Sequence, residues 1–266
     1  MCAHADEWAL NLETQGVALH HRGAHGFDNL SSVLDDMEDL RSSVERYREL
    51  AVAAGVSWRD MGKREAILPV GELCRTLDVE RIPEQPLWLN GTGLPSARVL
   101  PCGAFPLAWQ DAGHVLDSLS ASVAVPFHWR HQLPLLTYER ITFTFVLADG
   151  FEGEIWRYQF EPDAWNPVRA ATSLVSMFEQ WNKGFAADAY ARGRSDRWLM
   201  VESVEQLLSL GLDPFAFPEH ISQVTELDLL RERQVACGVD LDRVDDFDAL
   251  EKLGDEVSAV QRSLRR

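Results

Sequence analysis

The sequence predicts an α+β fold: a mostly antiparallel sheet covered by helices, with helical extensions at both ends. Three observations carry this. An apolar stripe of helical period runs from Leu30 to Ala54, and two segments of period two flank a glycine-bearing turn at Asp149–Gly153. A third stretch, from Leu174 to Phe185, returns to helical spacing.

The first helix is read from Leu30, Val33, Leu34, Met37, Leu40, Val44, Tyr47, Leu50, Ala51 and Ala54, whose steps of three and four place them on one side. Asp28 is positioned to cap its start, and Gly55 is its stop signal. A stripe this strong must be covered, by the domain or by a second chain. Further on, Ser96–Leu100 and Ala104–Trp109 read as short strands interrupted by prolines, at a sheet edge. Asn90-Gly91, within Leu89-Asn-Gly-Thr-Gly-Leu-Pro, reads as a tight turn between extended segments.

In the middle, Ile141, Phe143, Phe145 and Leu147 alternate with Thr142, Thr144 and Val146. Trp156, Tyr158 and Phe160 likewise alternate with Ile155, Arg157 and Gln159. Asp149-Gly-Phe-Glu-Gly153 supplies glycines where a turn needs positive φ, so the pair forms an antiparallel hairpin. Pro167 is expected to end the extended stretch that follows. Thr172 or Ser173 then caps a helix through Leu174, Met177, Phe178, Trp181 and Phe185. The tail holds helices near Val201–Leu210 and Leu227–Val235, and a last one from Phe247 to Leu264. Asp245 and Asp246 stand at its start and Arg262, Arg265 and Arg266 at its end, as the helix dipole favours.

Charge divides the chain. Residues 1–49 carry ten acids and four bases, residues 50–200 seventeen and fourteen, and residues 201–266 fifteen and seven, giving the net −17 of the whole. Eight of the nine tryptophans lie in the near-neutral middle. The expected organisation is an N-terminal helical extension over 1–59, an α+β core domain over 60–200 and an acidic helical C-terminal extension over 201–266. A chain so acidic lacks the clustered Lys and Arg that nucleic acids and anionic membrane surfaces require. The hydrophobic content of 46% is that of a globular protein and excludes a disordered one.

The four cysteines, Cys2, Cys74, Cys102 and Cys237, are too far apart for a zinc knuckle or a redox dithiol, and read as reduced thiols. The first residues hold no basic region followed by an apolar run, and no stretch approaches the roughly 20 apolar residues of a membrane span, so a cytoplasmic location is expected.

No local motif marks a reaction. His20, His21 and His25 are interrupted by Gly23 and lack further ligands nearby, so no metal is expected there. Asp240–Glu251 places oxygen ligands at positions one, three, nine and twelve of a calcium loop. Its sixth position, where the sharp turn demands glycine, is Asp245, so the segment reads as an acidic linker capping the last helix. No phosphate loop, dinucleotide fingerprint or nucleophile elbow occurs. The expectation is no catalytic residue, no metal and no cofactor. Trp129, Trp156, Tyr158, Trp165 and Trp181 belong to a core by default. Trp129 and Trp165, on loops or an outer strand face, are the candidates for anchoring a partner, and Asp149, Glu152 and Glu154 are the candidate carboxylates beside them.

The order of segments between Pro86 and Tyr190 resembles the SUKH superfamily, the Smi/Knr type of domain. Phe105-Pro-Leu-Ala-Trp109 and Gln132-Leu-Pro-Leu-Leu136 carry the resemblance, with Gly150-Phe-Glu-Gly-Glu-Ile-Trp-Arg-Tyr158 and Ala171-Thr-Ser-Leu-Val-Ser-Met-Phe-Glu-Gln-Trp181. It implies an α+β binding fold without catalytic residues, whose bacterial members neutralise toxins as immunity proteins and whose fungal relatives are interaction hubs. The function expected is a non-catalytic protein-binding module, with a structural subunit or a hydrolase as alternatives. The acidity fits a basic partner, such as a nuclease toxin.

Overall fold

The computed structural model describes residues 26–55, 70–92, 105–106, 119–138, 141–161, 164–192, 199–244 and 246–264. The chain divides into two compact units, Met1–Asp35 and Asp36–Arg266.

Helix α1 spans Gly26–Ala53. It begins two residues before Asp28, which therefore lies within the helix and not at its cap position. Within the second unit its stripe is covered as the periodicity requires: Met37, Leu40, Val44, Tyr47 and Ala51 are buried. Gly55 follows at φ 85°, the left-handed conformation of a helix stop. The short helix α2 is Val70–Leu77 and α3 is Glu84–Thr92. Asn90-Gly91 thus closes a helix rather than linking extended segments. Pro86 in its first turn removes only an N–H that had no helical partner.

Five antiparallel strands follow in sequential order: β1 Phe105–Pro106, β2 Gln132–Tyr138, β3 Ile141–Val146, β4 Ile155–Glu161 and β5 Ala164–Ala171. Phe105 and Pro106 lie at an edge as expected, while Ser96–Leu100 falls outside the described residues. The β3–β4 hairpin pairs Phe145 with Ile155 and Ile141 with Gln159. Its turn is closed by Phe151 N–H to the Ala148 carbonyl (3.0 Å) and Gly153 N–H to that of Val146 (3.0 Å), with Gly150 at φ 82° and Gly153 at φ 89°.

Pro167 does not end an extended stretch. It lies inside β5 opposite Tyr158, tolerated because β5 is an edge strand and a missing N–H breaks no ladder bond there.

Helix α4, Leu174–Ala186, is capped by Ser173, whose Oγ accepts from Ser176 N–H. A small pair of strands, β6 Ala191–Arg192 and β7 Leu199–Met200, precedes α5 Val204–Ser209, α6 Val224–Ala236 and α7 Phe247–Leu264.

The helices cover both faces of the sheet. All six residues of β3 are buried, so its alternation separates two cores instead of a core and a solvent face. On one side Ile141, Phe143 and Phe145 join Leu40, Val44 and Tyr47 of α1 with Phe178 and Trp181 of α4. On the other, Val146, Trp156 and Tyr158 share a cluster with Leu230 of α6 and Leu253, Val257 and Val260 of α7.

Each core contains a satisfied polar layer, as buried polar groups require. Gln132 accepts from Thr144 Oγ1 (2.8 Å) and the Tyr158 hydroxyl (2.6 Å), and donates to Ser122 Oγ and the Trp129 carbonyl. Opposite, Arg157 donates to the carbonyls of Phe217 and Glu219 and to Gln159, which pairs through its amide with both N–H and C=O of Ile221. Those bonds hold residues 217–221 against the sheet.

Candidate functional site

The hairpin turn forms one wall of an open cleft of about 830 Å³. Leu147, Ala148, Asp149, Phe151 and Glu152 line it from the turn, Pro126, Phe127, His128 and His131 from the segment before β2, and Asp78–Arg81 from the loop after α2. The two sides of the wall are joined by Leu147 N–H donating to the His131 carbonyl (2.8 Å). Phe127 supports the turn from below, 5.4 Å from the Phe151 ring and edge-on to Trp156 at 5.1 Å. A rigid floor thus carries an exposed acidic rim of Asp149 and Glu152.

The loop Asp78–Arg81 owes its shape to a helix end. Asp78 adopts φ 56°, and Val79 N–H returns to the Cys74 carbonyl at 3.0 Å, which closes α2. Aspartate is among the few residues that tolerate this conformation.

His128 and His131 lie with ring centroids 5.7 Å apart. Partial burial, followed by the neighbouring His131 and Arg130, lowers the His128 pKa below its ordinary value, against the weaker pull of Glu256 and Asp78. Its Nδ1 accepts from the Arg130 backbone N–H at 3.3 Å. In the neutral ring the proton therefore sits on Nε2, which makes the side chain a donor. Among the described residues that line the cleft, none is Ser, Thr or Cys.

The five candidate residues separate. Asp149 and Glu152 meet at the cleft. Glu154 stands at the foot of the hairpin with both oxygens engaged, Oε1 by Arg169 (2.7 Å) and Oε2 by the Trp156 indole (2.9 Å), and so braces the turn. Trp129 is 3% exposed, packed in the α7-side core, with its indole donating to Glu256 (3.4 Å) and the Arg130 guanidinium 5.4 Å from its ring. Trp165 lies on β5 with its backbone opposite Phe160; its side chain is outside the described residues. Tyr158, Trp156 and Trp181 are core residues, as read from the sequence.

The sequence reading missed His128, His131 and the Asp78–Arg81 loop. The pattern His-Trp-Arg-His at 128–131 was the available signal. His20, His21 and His25 lie outside the described residues. In the calcium-like segment, Asp240 caps the turn Leu241–Arg243, and Asp246 accepts from Ala249 N–H (3.0 Å) at the start of α7, so these two acids serve as helix caps. Among the described residues no three of His, Cys, Asp and Glu cluster as metal ligands, and no helix is long and apolar enough to cross a membrane.

No family model matches the chain, and neither does any curated protein or solved structure.

Proposed function

We propose that the protein is a non-catalytic protein-binding module of the immunity or adaptor kind, acting in the cytoplasm, which receives a basic partner protein at the acidic rim of the cleft. The observation that carries this reading is the placement of Asp149 and Glu152: both are exposed, on a turn whose two strands are buried and whose aromatic base is fixed. A preordered rim loses little entropy on binding, and a net charge of −17 steers cationic surfaces toward it. The Smi/Knr-like segment order points the same way. A nuclease toxin, whose active site must attract phosphate, has the required basic surface.

A pull-down from the native host at low and high salt tests the proposal, with the doubly reversed Asp149→Lys/Glu152→Lys chain as control. The expected result is a basic protein whose association rate falls with ionic strength and which the double variant fails to retain. A neutral partner, salt-independent association or full retention by the variant overturns it.

The second reading is a hydrolase using the same cleft, favoured by the paired imidazoles of His128 and His131 on its wall. It requires that His128→Ala abolish a turnover while partner capture persists.

A further inference from the structure

Helix α6 carries its apolar residues on the outside. Val224, Leu227 and Val235 are 76%, 37% and 63% exposed, whereas Glu226 and Gln234 are buried with Leu230. The inversion has one cause at the helix start and one at the sheet edge. Glu226 accepts from the N–H groups of Ser222 (2.9 Å) and Gln223 (3.0 Å), and Gln234 donates to the Pro167 carbonyl of β5 (3.0 Å). Glu226 thus caps its own helix, Gln234 ties that helix to the strand, and the apolar stripe is left facing water.

Asp228 and Arg231, also exposed, lie within that stripe. At about 100° per residue, Val224, Asp228, Arg231 and Val235 fall within an arc of about 60°, bordered by Leu227 and Glu232. Read in either direction the arc is the same in shape: valine at both ends and opposite charges in the middle.

We propose that this face is a two-fold self-association surface, on which α6 packs antiparallel against α6 of a second copy. An axis midway between Leu229 and Leu230 places Val224 opposite Val235 of the second copy and Asp228 opposite its Arg231, each twice. A parallel pairing would set Asp228 against Asp228. The antiparallel arrangement covers the valines and neutralises the charges between them, which is the self-complementarity an isologous interface requires. One helix face buries less than the roughly 800 Å² per partner of a standard interface, so the dimer dissociates on dilution.

Sedimentation equilibrium of the full chain at about 0.15 M salt, where charges beyond roughly 8 Å are screened, is the test. The wild-type mass should rise with concentration from 30.0 kDa toward twice that value. Asp228→Arg and Arg231→Asp, each alone, oppose like charges and should remain monomeric at concentrations where the wild type dimerises. An equimolar mixture of the two should regain the dimer, because one chain then offers two arginines and the other two aspartates. All the substituted groups are in solvent, so circular dichroism should confirm an unchanged fold. A wild-type chain that is monomeric throughout overturns the proposal. So does a dimer that either reversal leaves intact, or a mixture that stays monomeric.

Discussion

The side-chain amide of Gln234 donates to the carbonyl of Pro167 at 3.0 Å, joining α6 to the outer side of β5 across 67 residues of sequence. Pro167 has no N–H to offer there, so the strand edge is closed at this position by an imino acid on one count and a glutamine on the other. Replacing Gln234 by Ala leaves a buried carbonyl without its donor. The expected cost is about 1–3 kcal/mol, read as a lower urea midpoint at unchanged m value.

Trp181→Ala should cost about 3–5 kcal/mol, the range for deleting a buried aromatic. Its ring is 0% exposed, packs against Tyr47 and Phe178, and donates from Nε1 to the Ala216 carbonyl at 2.8 Å. A melting temperature within a few degrees of the wild type would contradict this placement.

Two glycine substitutions should differ in kind. An added Cβ at Gly153 meets open space, so Gly153→Ala reads the left-handed backbone alone, about 1–2 kcal/mol. At Gly184 the same Cβ would sit 2.6 Å from the Tyr190 hydroxyl, which donates to the Trp181 carbonyl and packs on Phe185. Gly184→Ala should therefore be the more destabilising in parallel denaturation curves, although its backbone is ordinary helix.

Stability should fall at both ends of the pH range, for opposite reasons. The folded protein holds the His128 pKa below the ordinary value of about 6.5, so the unfolded chain binds the proton first and stability is lost as pH falls through that value. Burial holds the Tyr158 hydroxyl above its usual range of about 10, so stability is lost as pH rises past 10 while the unfolded chain ionises. His128→Ala should flatten the acid limb and Tyr158→Phe the alkaline one, measured by urea midpoints between pH 5 and pH 11.

The hairpin was legible because its signals are local: alternation on both arms and glycines where φ turns positive. The Met37–Ala51 stripe and the Ser173 cap were legible for the same reason. Local reading failed at β5, since what makes Pro167 acceptable is its position at the sheet edge, 67 residues before Gln234. It failed also for β3, whose Thr142 and Thr144 look solvent-facing yet are buried, Thr144 satisfied by Gln132. The cleft draws on three segments, at 78–81, 126–131 and 147–152, that no single window contains. Asp149 and Glu152 could be named from the turn, but not His128 opposite them.

A sheet buried on both faces also orders the events of biosynthesis. The side bearing Phe143 can be covered once the chain through Phe217 has left the ribosome, because Val201, Leu207, Ala216 and Phe217 complete that core with α1 and α4. The side bearing Trp156 and Tyr158 shares its core with Val257 and Val260 of α7. Until α7 emerges, the nascent hairpin presents tryptophan and tyrosine to water without their cover. Chains truncated before Phe247 should accordingly bind holdase chaperones and precipitate, even with every strand of the sheet present.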